Sequence, residues 1–266
     1  MKISFIGGGN MGEAMISAVL AKGLSSGEEV TVSDISRSRR EYLGQKYGVT
    51  ATGDNLEAVA RGDVVVLAIK PQNLTEVASG IKGRFSSPQL VLSIIAGARI
   101  STLCRGLGYL QVVRVMPNTP AQIGEGMSVW TATPEVTEEQ RQWAGSILGA
   151  MGREIYVTDE KYIDMATAVS GSGPAYVFLL AEALASAAVH IGLSYDVARE
   201  LVAQTLVGSA KFMQRSEKLP AELRRMVTSP GGTTAAALAR LEKGQFTELI
   251  KEAVTAAYHR AGELGS

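Results

Sequence analysis

One cysteine, Cys104, is all that the 266 residues contain. A lone thiol excludes an internal disulfide and any cysteine-based zinc site, and it suits a reducing compartment. Histidine is nearly as scarce, with only His190 and His259. Neither sits in an HExxH pattern, and no Ser-His-Asp set or carboxylate cluster of metal-site spacing can be assembled. Net charge is missing as well: 26 basic residues match 26 acidic ones, so no overall positive field selects nucleic acid or anionic lipid. There is no internal repeat, low-complexity tract or Gly/Ser linker, and the opening Met1-Lys-Ile-Ser-Phe-Ile-Gly-Gly8 holds too short an apolar stretch for a signal peptide. The expectation is a cytoplasmic protein that meets charged partners only locally.

Apolar residues make up 46% of the chain, enough for a substantial core at this length. Residues 174–193 are apolar over about the length that crosses a bilayer. Glu182 and His190 within them argue against a span, because an ionisable group in hydrocarbon is costly. A helix apolar on every side is instead expected to be buried. In a chain of this size, burial on all faces implies help from a second subunit.

Up to about residue 158, short apolar runs at 2–6, 29–33, 63–69, 89–95 and 111–115 alternate with helical or turn-rich stretches at 10–22, 37–47 and 56–61. Such alternation predicts a parallel sheet with helices on both faces. The uninterrupted Val64-Val-Val-Leu-Ala-Ile69 fits a central strand covered on both sides. From about residue 159 the strand signal fades, and Ala- and Leu-rich helical patterns occupy 163–169, 174–191, 195–214, 221–226, 233–241 and 246–264. The predicted class is α/β: a doubly wound sheet over residues 1–158, then an all-helical domain over residues 159–266.

The first strand runs into Gly7-Gly-Gly-Asn-Met-Gly12 and then a helix, the setting in which GxGxxG binds a dinucleotide. Gly7 permits the tight turn, Gly9 lets backbone approach a pyrophosphate, and Gly12 lets the helix lie close on the strand. Gly8, Asn10 and Met11 complete the loop, and the helix N-terminus faces the anion. After the second strand, Ser33-Asp-Ile-Ser-Arg-Ser-Arg-Arg40 carries two signals at once. Asp34 is placed to accept the ribose hydroxyls of NAD, whereas Ser36 and Arg37 welcome a 2′-phosphate, which Asp34 repels unless Arg37 or Arg39 offsets it. NADH and NADPH both stay open.

Two more loops follow strand ends, where doubly wound sheets bind ligands. Ala68, Ile69, Lys70 and Pro71 form one, and Ile95, Ala96 and Gly97 lie in the other; both are expected to flank the ribose and nicotinamide. Met116-Pro-Asn-Thr-Pro120 is a stiff loop suited to walling the pocket. Asn55 caps the next helical turn, touches the adenine side, or does both.

In the second half, Ser229-Pro-Gly-Gly-Thr-Thr234 precedes a run of strong helix formers. Its glycines leave amides uncovered at the positive end of a helix dipole, which makes an anion cradle. Because the first half already houses the cofactor phosphates, this cradle suits a substrate carboxylate, and Thr234 would reach a ring nitrogen or oxygen. A plain helix cap is the other reading. With no evident acid or base, the chain favours chemistry that the cofactor supplies, such as hydride addition to an activated C=N bond. A hydroxyacid reductase would need a pocket lysine to move a proton, and Lys70 is the one candidate.

The combination of Phe5-Ile-Gly-Gly-Gly-Asn-Met-Gly12, Ala68-Ile-Lys-Pro71, Met116-Pro-Asn-Thr-Pro120, Ser170-Gly-Ser-Gly-Pro-Ala-Tyr176 and Met226-Val-Thr-Ser-Pro-Gly-Gly-Thr-Thr234 resembles pyrroline-5-carboxylate reductase over essentially the whole chain. The resemblance implies reduction of 1-pyrroline-5-carboxylate to L-proline with NADPH or NADH, the last step of proline biosynthesis. It also implies a Rossmann domain and a helical domain that interlocks with its twin in a homodimer, with a decamer of five dimers as the larger assembly. By matching motif, Gly231, Gly232 and Thr233 would hold the substrate carboxylate through backbone amides, and Thr234 would hydrogen-bond the ring nitrogen. Ser172 would help shape the dimer-side wall, and Glu160 would lie near the substrate. Many members have Asn-Arg or a Ser-containing turn where this chain has Asp34-Ile35, so the resemblance does not choose between the two cofactors.

Overall fold

Four short strands are built mainly from β-branched and aliphatic residues, and all four are buried along their whole length. They are β1 (Ile3–Ile6), β2 (Val30–Ser33), β4 (Val64–Leu67) and β5 (Leu90–Ser93), with the short, half-exposed β3 (Thr50–Thr52) between the second and the third. Burial on both faces requires helices above and below the sheet. Those helices are α1 (Asn10–Ala21), α2 (Arg37–Tyr47), α3 (Asn55–Arg61), α4 (Leu74–Ile81), α5 (Ile100–Leu107) and α6 (Glu138–Ala150), and the sheet is completed by β6 (Val112–Met116), β7 (Gly126–Ala132) and β8 (Gly152–Tyr156). The structure is a computed structural model that describes residues 1–264.

Strand order is β3-β2-β1-β4-β5-β6-β7-β8. The order reverses between β1 and β4, so a crevice opens there at the carboxyl ends of the strands. The side-chain period of 2 sorts the core into two layers. Ile3, Phe5, Val30, Val32, Val64 and Val66 face Met15, Ile16 and Val19 of α1 and Leu43 of α2. Ile6, Val65, Leu67 and Val91 face Ala58 and Val59 of α3, Ile81 of α4, and Leu103 and Leu107 of α5. The sheet is not wholly parallel, as the sequence pattern had implied. β7 runs antiparallel to β6 while β8 is parallel to β7, because the link from Met116 to Gly126 is shorter than the dozen or so residues a parallel crossover needs.

Only helices follow β8: α7 (Lys161–Ala166), α8 (Gly173–His190), α9 (Tyr195–Arg215), α10 (Pro220–Met226), α11 (Thr233–Lys243) and α12 (Phe246–Leu264), with a single π turn at Thr167–Gly171. Two compact units result. One holds Met1–Ser172 and the chain from Ala257 onward; the other is Gly173–Ala256. In the first unit, Arg114 on β6 is a buried cation with its side chain 3% exposed. Its guanidinium reaches Glu160 Oε1 and Asp164 Oδ1, each at 2.7 Å, which anchors the start of α7 to the sheet.

Among the described residues, one helical run, Lys161–His190, has the length and composition to cross a membrane. Its first part packs within the sheet unit, where Ile163 and Ala168 are fully buried. The expected burial of the α8 segment is not met within one chain. Phe178 and Leu179 are 65% and 66% exposed and no residue of α8 is buried, because the second unit offers α8 few neighbours of its own beyond α9.

Replacing Arg114 by Met is expected to destabilise the sheet unit by about 3 kcal/mol, the low end for breaking a buried ion pair because Glu160 is partly exposed. Equilibrium denaturant unfolding measures this.

Candidate active site

The β1–α1 turn is held by backbone contacts that only glycine allows. Gly7 has φ +100°, and a methyl group there would lie 2.7 Å from the Ala68 carbonyl oxygen. A methyl on Gly12 would come within 2.5 Å of the Gly7 carbonyl oxygen, and one on Gly8 within 2.5 Å of Leu43 Cδ1. Gly9 is different: a methyl there meets nothing within 4 Å. Gly9 is also the N-cap of α1, with no side chain capping the helix. Three glycines therefore serve packing, while the fourth faces open space beside the free amides of a helix mouth, as a dinucleotide pyrophosphate requires. Asn10 and Gly9 are exposed, and Met11 is half-buried beneath the turn.

The loop after β2 braces this turn. Asp34 accepts hydrogen bonds from the Gly8 amide at 2.9 Å and the Ser36 amide at 2.8 Å. Ser36 caps α2 by accepting from the Arg39 amide. Arg37 points to solvent, paired with Glu41. Arg39 does more than its neighbours, since its guanidinium donates to the Gly8 carbonyl and to Glu13 on α1. Glu13 is further held by Lys46, Tyr42 and Tyr47. Partial burial raises the Glu13 pKa, but hydrogen bonds from Lys46, Arg39, Tyr47 and Tyr42 outweigh it and pull the value down to about 2. The cap of α3 is a correction: Asp54, not Asn55, accepts from the Leu56 amide, because Asp54 occupies the N-cap position, from which a side chain reaches the second helical amide, whereas Asn55 is already the first residue of the helix. Asn55 instead accepts from Ser33 Oγ at 2.6 Å at the end of β2.

Ala68 and Ile69 lie half-buried after β4, and exposed Lys70 precedes a turn of 3₁₀ helix opened by Pro71. After β5, the Ile95 side chain is 2% exposed and belongs to the core, so only its backbone faces the loop. Gly97 takes φ +75° against Leu264 of α12, where a methyl would lie 2.8 Å from the Leu264 carbonyl oxygen. Glu160 Oε1 accepts the Ile100 amide at 2.8 Å as well as Arg114; it therefore caps α5, whose own N-cap residue Arg99 makes no side-chain bond. The loop after β6 is pinned by Asn118, which accepts the Met127 amide at 2.8 Å and donates to the Ser170 carbonyl at 3.1 Å. Ser172 closes the π turn through its amide and the Thr167 carbonyl.

In the second unit, Gly232 is the N-cap of α11 and no side chain caps the helix. Gly231 has φ +73° and open space around it, and its conformation favours glycine. A methyl on Gly232 would lie 2.7 Å from Ser229 Oγ. Thr233 is exposed and Thr234 half-buried at the same helix mouth. The Gly232 amide closes this turn by donating to the Ser229 carbonyl at 3.1 Å, and no side chain caps the first amides of α11 itself.

Sequence reasoning passed over Glu13 and Arg114, and weighed Arg39 only as a charge that could offset Asp34. Arg39 stood in a basic run that reads as a solvated helix start, and only the fold brings Glu13 and Arg114 to their partners. Two outcomes follow from the glycine turn and its brace. Gly9→Ala leaves thermal stability unchanged but weakens cofactor affinity about tenfold or more, the equivalent of one charge-assisted hydrogen bond, by equilibrium titration; Gly12→Val instead destabilises by about 3 kcal/mol through overpacking. Because the Glu13 value is lower folded than unfolded, its carboxylate stabilises the fold above about pH 4.3 and loses that contribution as pH falls towards about 2. Thermal melts below pH 5 are expected to fall less steeply in Glu13→Gln.

A family model described as pyrroline-5-carboxylate reductase dimerisation matches residues 160–264, and one described as NADP oxidoreductase, coenzyme F420-dependent, matches residues 2–97. A pyrroline-5-carboxylate reductase of Synechocystis sp. is 42% identical, with 100% of this chain and 98% of the relative covered. Among solved structures, the pyrroline-5-carboxylate reductase of Coxiella burnetii is 38% identical with TM-score 0.92, covering 100% of this chain and 98% of that one. The Plasmodium falciparum pyrroline carboxylate reductase, solved with NADP bound, is 32% identical with TM-score 0.91 and the same coverage. With two helix mouths built on paired glycines and relatives matched end to end, the chain belongs to the pyrroline-5-carboxylate reductase family of NAD(P)H-dependent oxidoreductases.

Proposed function

We propose that the chain reduces 1-pyrroline-5-carboxylate to L-proline, the closing step of proline biosynthesis, with NADPH or NADH bound by the sheet unit and the substrate carboxylate bound at residues 229–234. Family membership supports the reaction. The observation that supports the residue assignment is the mouth of α11, whose first amides no side chain caps.

In this reading Gly7, Gly8, Gly9, Asn10, Met11 and Gly12 hold the pyrophosphate. Asp34, Ser36, Arg37 and Asn55 line the adenosine side, and Ala68, Ile69, Lys70 and Pro71 with Ile95, Ala96 and Gly97 flank the ribose and nicotinamide. When bound, the nicotinamide supplies the hydride that reduces C5 of the pyrroline ring. The chain's own residues supply position. The Gly231 and Thr233 amides, with the Gly232 amide shared with the Ser229 carbonyl, fix the carboxylate, so the ring cannot turn its C5 away, and orientation of this kind accounts for much of an enzyme's acceleration. Thr234 hydrogen-bonds the ring nitrogen and favours the protonated imine, the more electrophilic form. The proton itself comes from solvent, in keeping with a site that has no histidine.

Ser172 shapes the wall contributed by the dimer. The same reading makes residues 1–158 the cofactor domain and residues 159–266 the substrate and dimerisation domain. The working form is a homodimer, gathered as five dimers into a decamer, in the cytoplasm.

Initial rates with pyrroline-5-carboxylate, measured separately against NADPH and NADH by nicotinamide absorbance, test the reaction; turnover of hydroxyacids in its place would overturn it. Thr234→Ala is expected to lower kcat/KM by roughly 10- to 1,000-fold, the range for losing a positioned hydrogen bond. An undiminished rate removes Thr234 from the mechanism.

A further inference from the structure

The segment between β5 and α5 is gripped at both ends by parts of the chain remote in sequence. At its far end the Ile100 amide donates to Glu160 Oε1 at 2.8 Å, and Glu160 is itself fixed by the buried Arg114 at 2.7 Å. In its middle, Gly97 lies so close to Leu264 that a methyl group would come within 2.9 Å of the Leu264 Cβ. At its near end the Ile95 side chain is locked in the core. Glu160 stands immediately before α7, and Leu264 ends α12. All of these residues belong to the sheet unit.

The geometry points to Glu160 as a positioning residue for the cofactor rather than a contact for the substrate. Its carboxylate serves as a remote cap for α5, satisfying an amide that Arg99 leaves free and adding negative charge at the positive end of the helix. Arg114 removes the freedom of that carboxylate, so the amide finds its acceptor already in place. Losing the cap frees the start of α5, and with it residues 96–99, of which Ala96 and Gly97 flank the nicotinamide in the proposed placement. This inference rests on the proposed placement of the cofactor between the loops after β4 and β5.

The test is made on the full-length protein. In Glu160→Ala, amide hydrogen exchange at Ile100 in the absence of cofactor is expected to speed up, and the dissociation constant for NADPH to rise about three- to tenfold, the range for one lost hydrogen bond. KM for pyrroline-5-carboxylate should stay within about twofold. Glu160→Gln keeps an oxygen acceptor for both partners and is expected to restore NADPH affinity. Asp164→Ala removes the other partner of Arg114 without touching Ile100, and is expected to lower the melting temperature while leaving NADPH affinity unchanged. Three results overturn the inference: an unaltered NADPH dissociation constant in Glu160→Ala, a rise confined to the KM of the imino acid, or an equal loss of NADPH affinity in Asp164→Ala. The underlying cofactor placement has its own readout, because NADPH should protect the amides of 96–99 in the unmodified protein. Absence of that protection refutes the placement, whatever the variants do.

Discussion

The first turn of α1 lies so close to the end of β1 that nothing larger than hydrogen fits between Gly12 and the Gly7 carbonyl. Much of the sheet unit is arranged around that approach. It sets the helix axis against the strand, so the first amides of α1 open onto the crevice at the strand-order reversal. Helix alignment concentrates roughly half a positive charge at such a mouth. Glu13 in the first turn would compete with an incoming phosphate if its charge stood alone. Arg39 and Lys46 both pair with it, so the local balance is one carboxylate against two cations, and the helix mouth keeps its positive sign. Asp34 meets the same need differently, spending both oxygens on the Gly8 and Ser36 amides.

A second fixed point sits on β6. A guanidinium buried to this extent is costly unless its hydrogen bonds are met, and replacing such an ion cluster whole by well-packed apolar residues is often no less stable, although removing the guanidinium alone strands its two carboxylates. Net stability of the cluster is therefore not the reason for Arg114. What it provides is direction: its planar fork places two carboxylates at defined positions, one of which caps α5. Asn118 works in the same manner with neutral groups, joining the loop after β6 to the Met127 amide and the π turn. Single-turn π segments often mark functional places in helices. Here the π turn leads directly into Ser172, the last residue of the sheet unit.

Strands buried on both faces were plain in the sequence, because unbroken runs such as Val64-Val-Val-Leu need no partner pattern to be recognised. The α2 boundaries were equally clear, with Ser36 ahead of the helix and Gly48 in the left-handed conformation behind it. β3 escaped notice because three half-exposed residues carry no period. β7 escaped because glycine, serine and threonine dilute its apolar alternation, and β8 because it is largely exposed. The glycine motifs showed which backbone sites had to be bare. They did not distinguish Gly9, open to a ligand, from Gly7, Gly8 and Gly12, filled by neighbours, since that difference depends on Ala68 and Leu43 arriving from elsewhere. The partners of Glu160 were illegible for the same reason: a carboxylate before a helix reads locally, whereas Arg114 and Ile100 reach it only through the sheet.

The helical unit poses the remaining physical demand. Phe178, Leu179, Leu201 and Phe212 of α8 and α9 are each more than half exposed, and monomers rarely leave contiguous apolar patches of more than a few hundred Å² uncovered. At about 25 cal/mol per Å², covering such helices is worth several kcal/mol, comparable to the whole stability of a small domain. The dimerisation region that defines the family spans residues 160–264 and so contains all of these residues. Folding of the helical unit and association of the chain are then one process rather than two. A protein of this kind has no stability independent of its concentration, and a substitution on α8 acts on the whole helical unit through the assembled state.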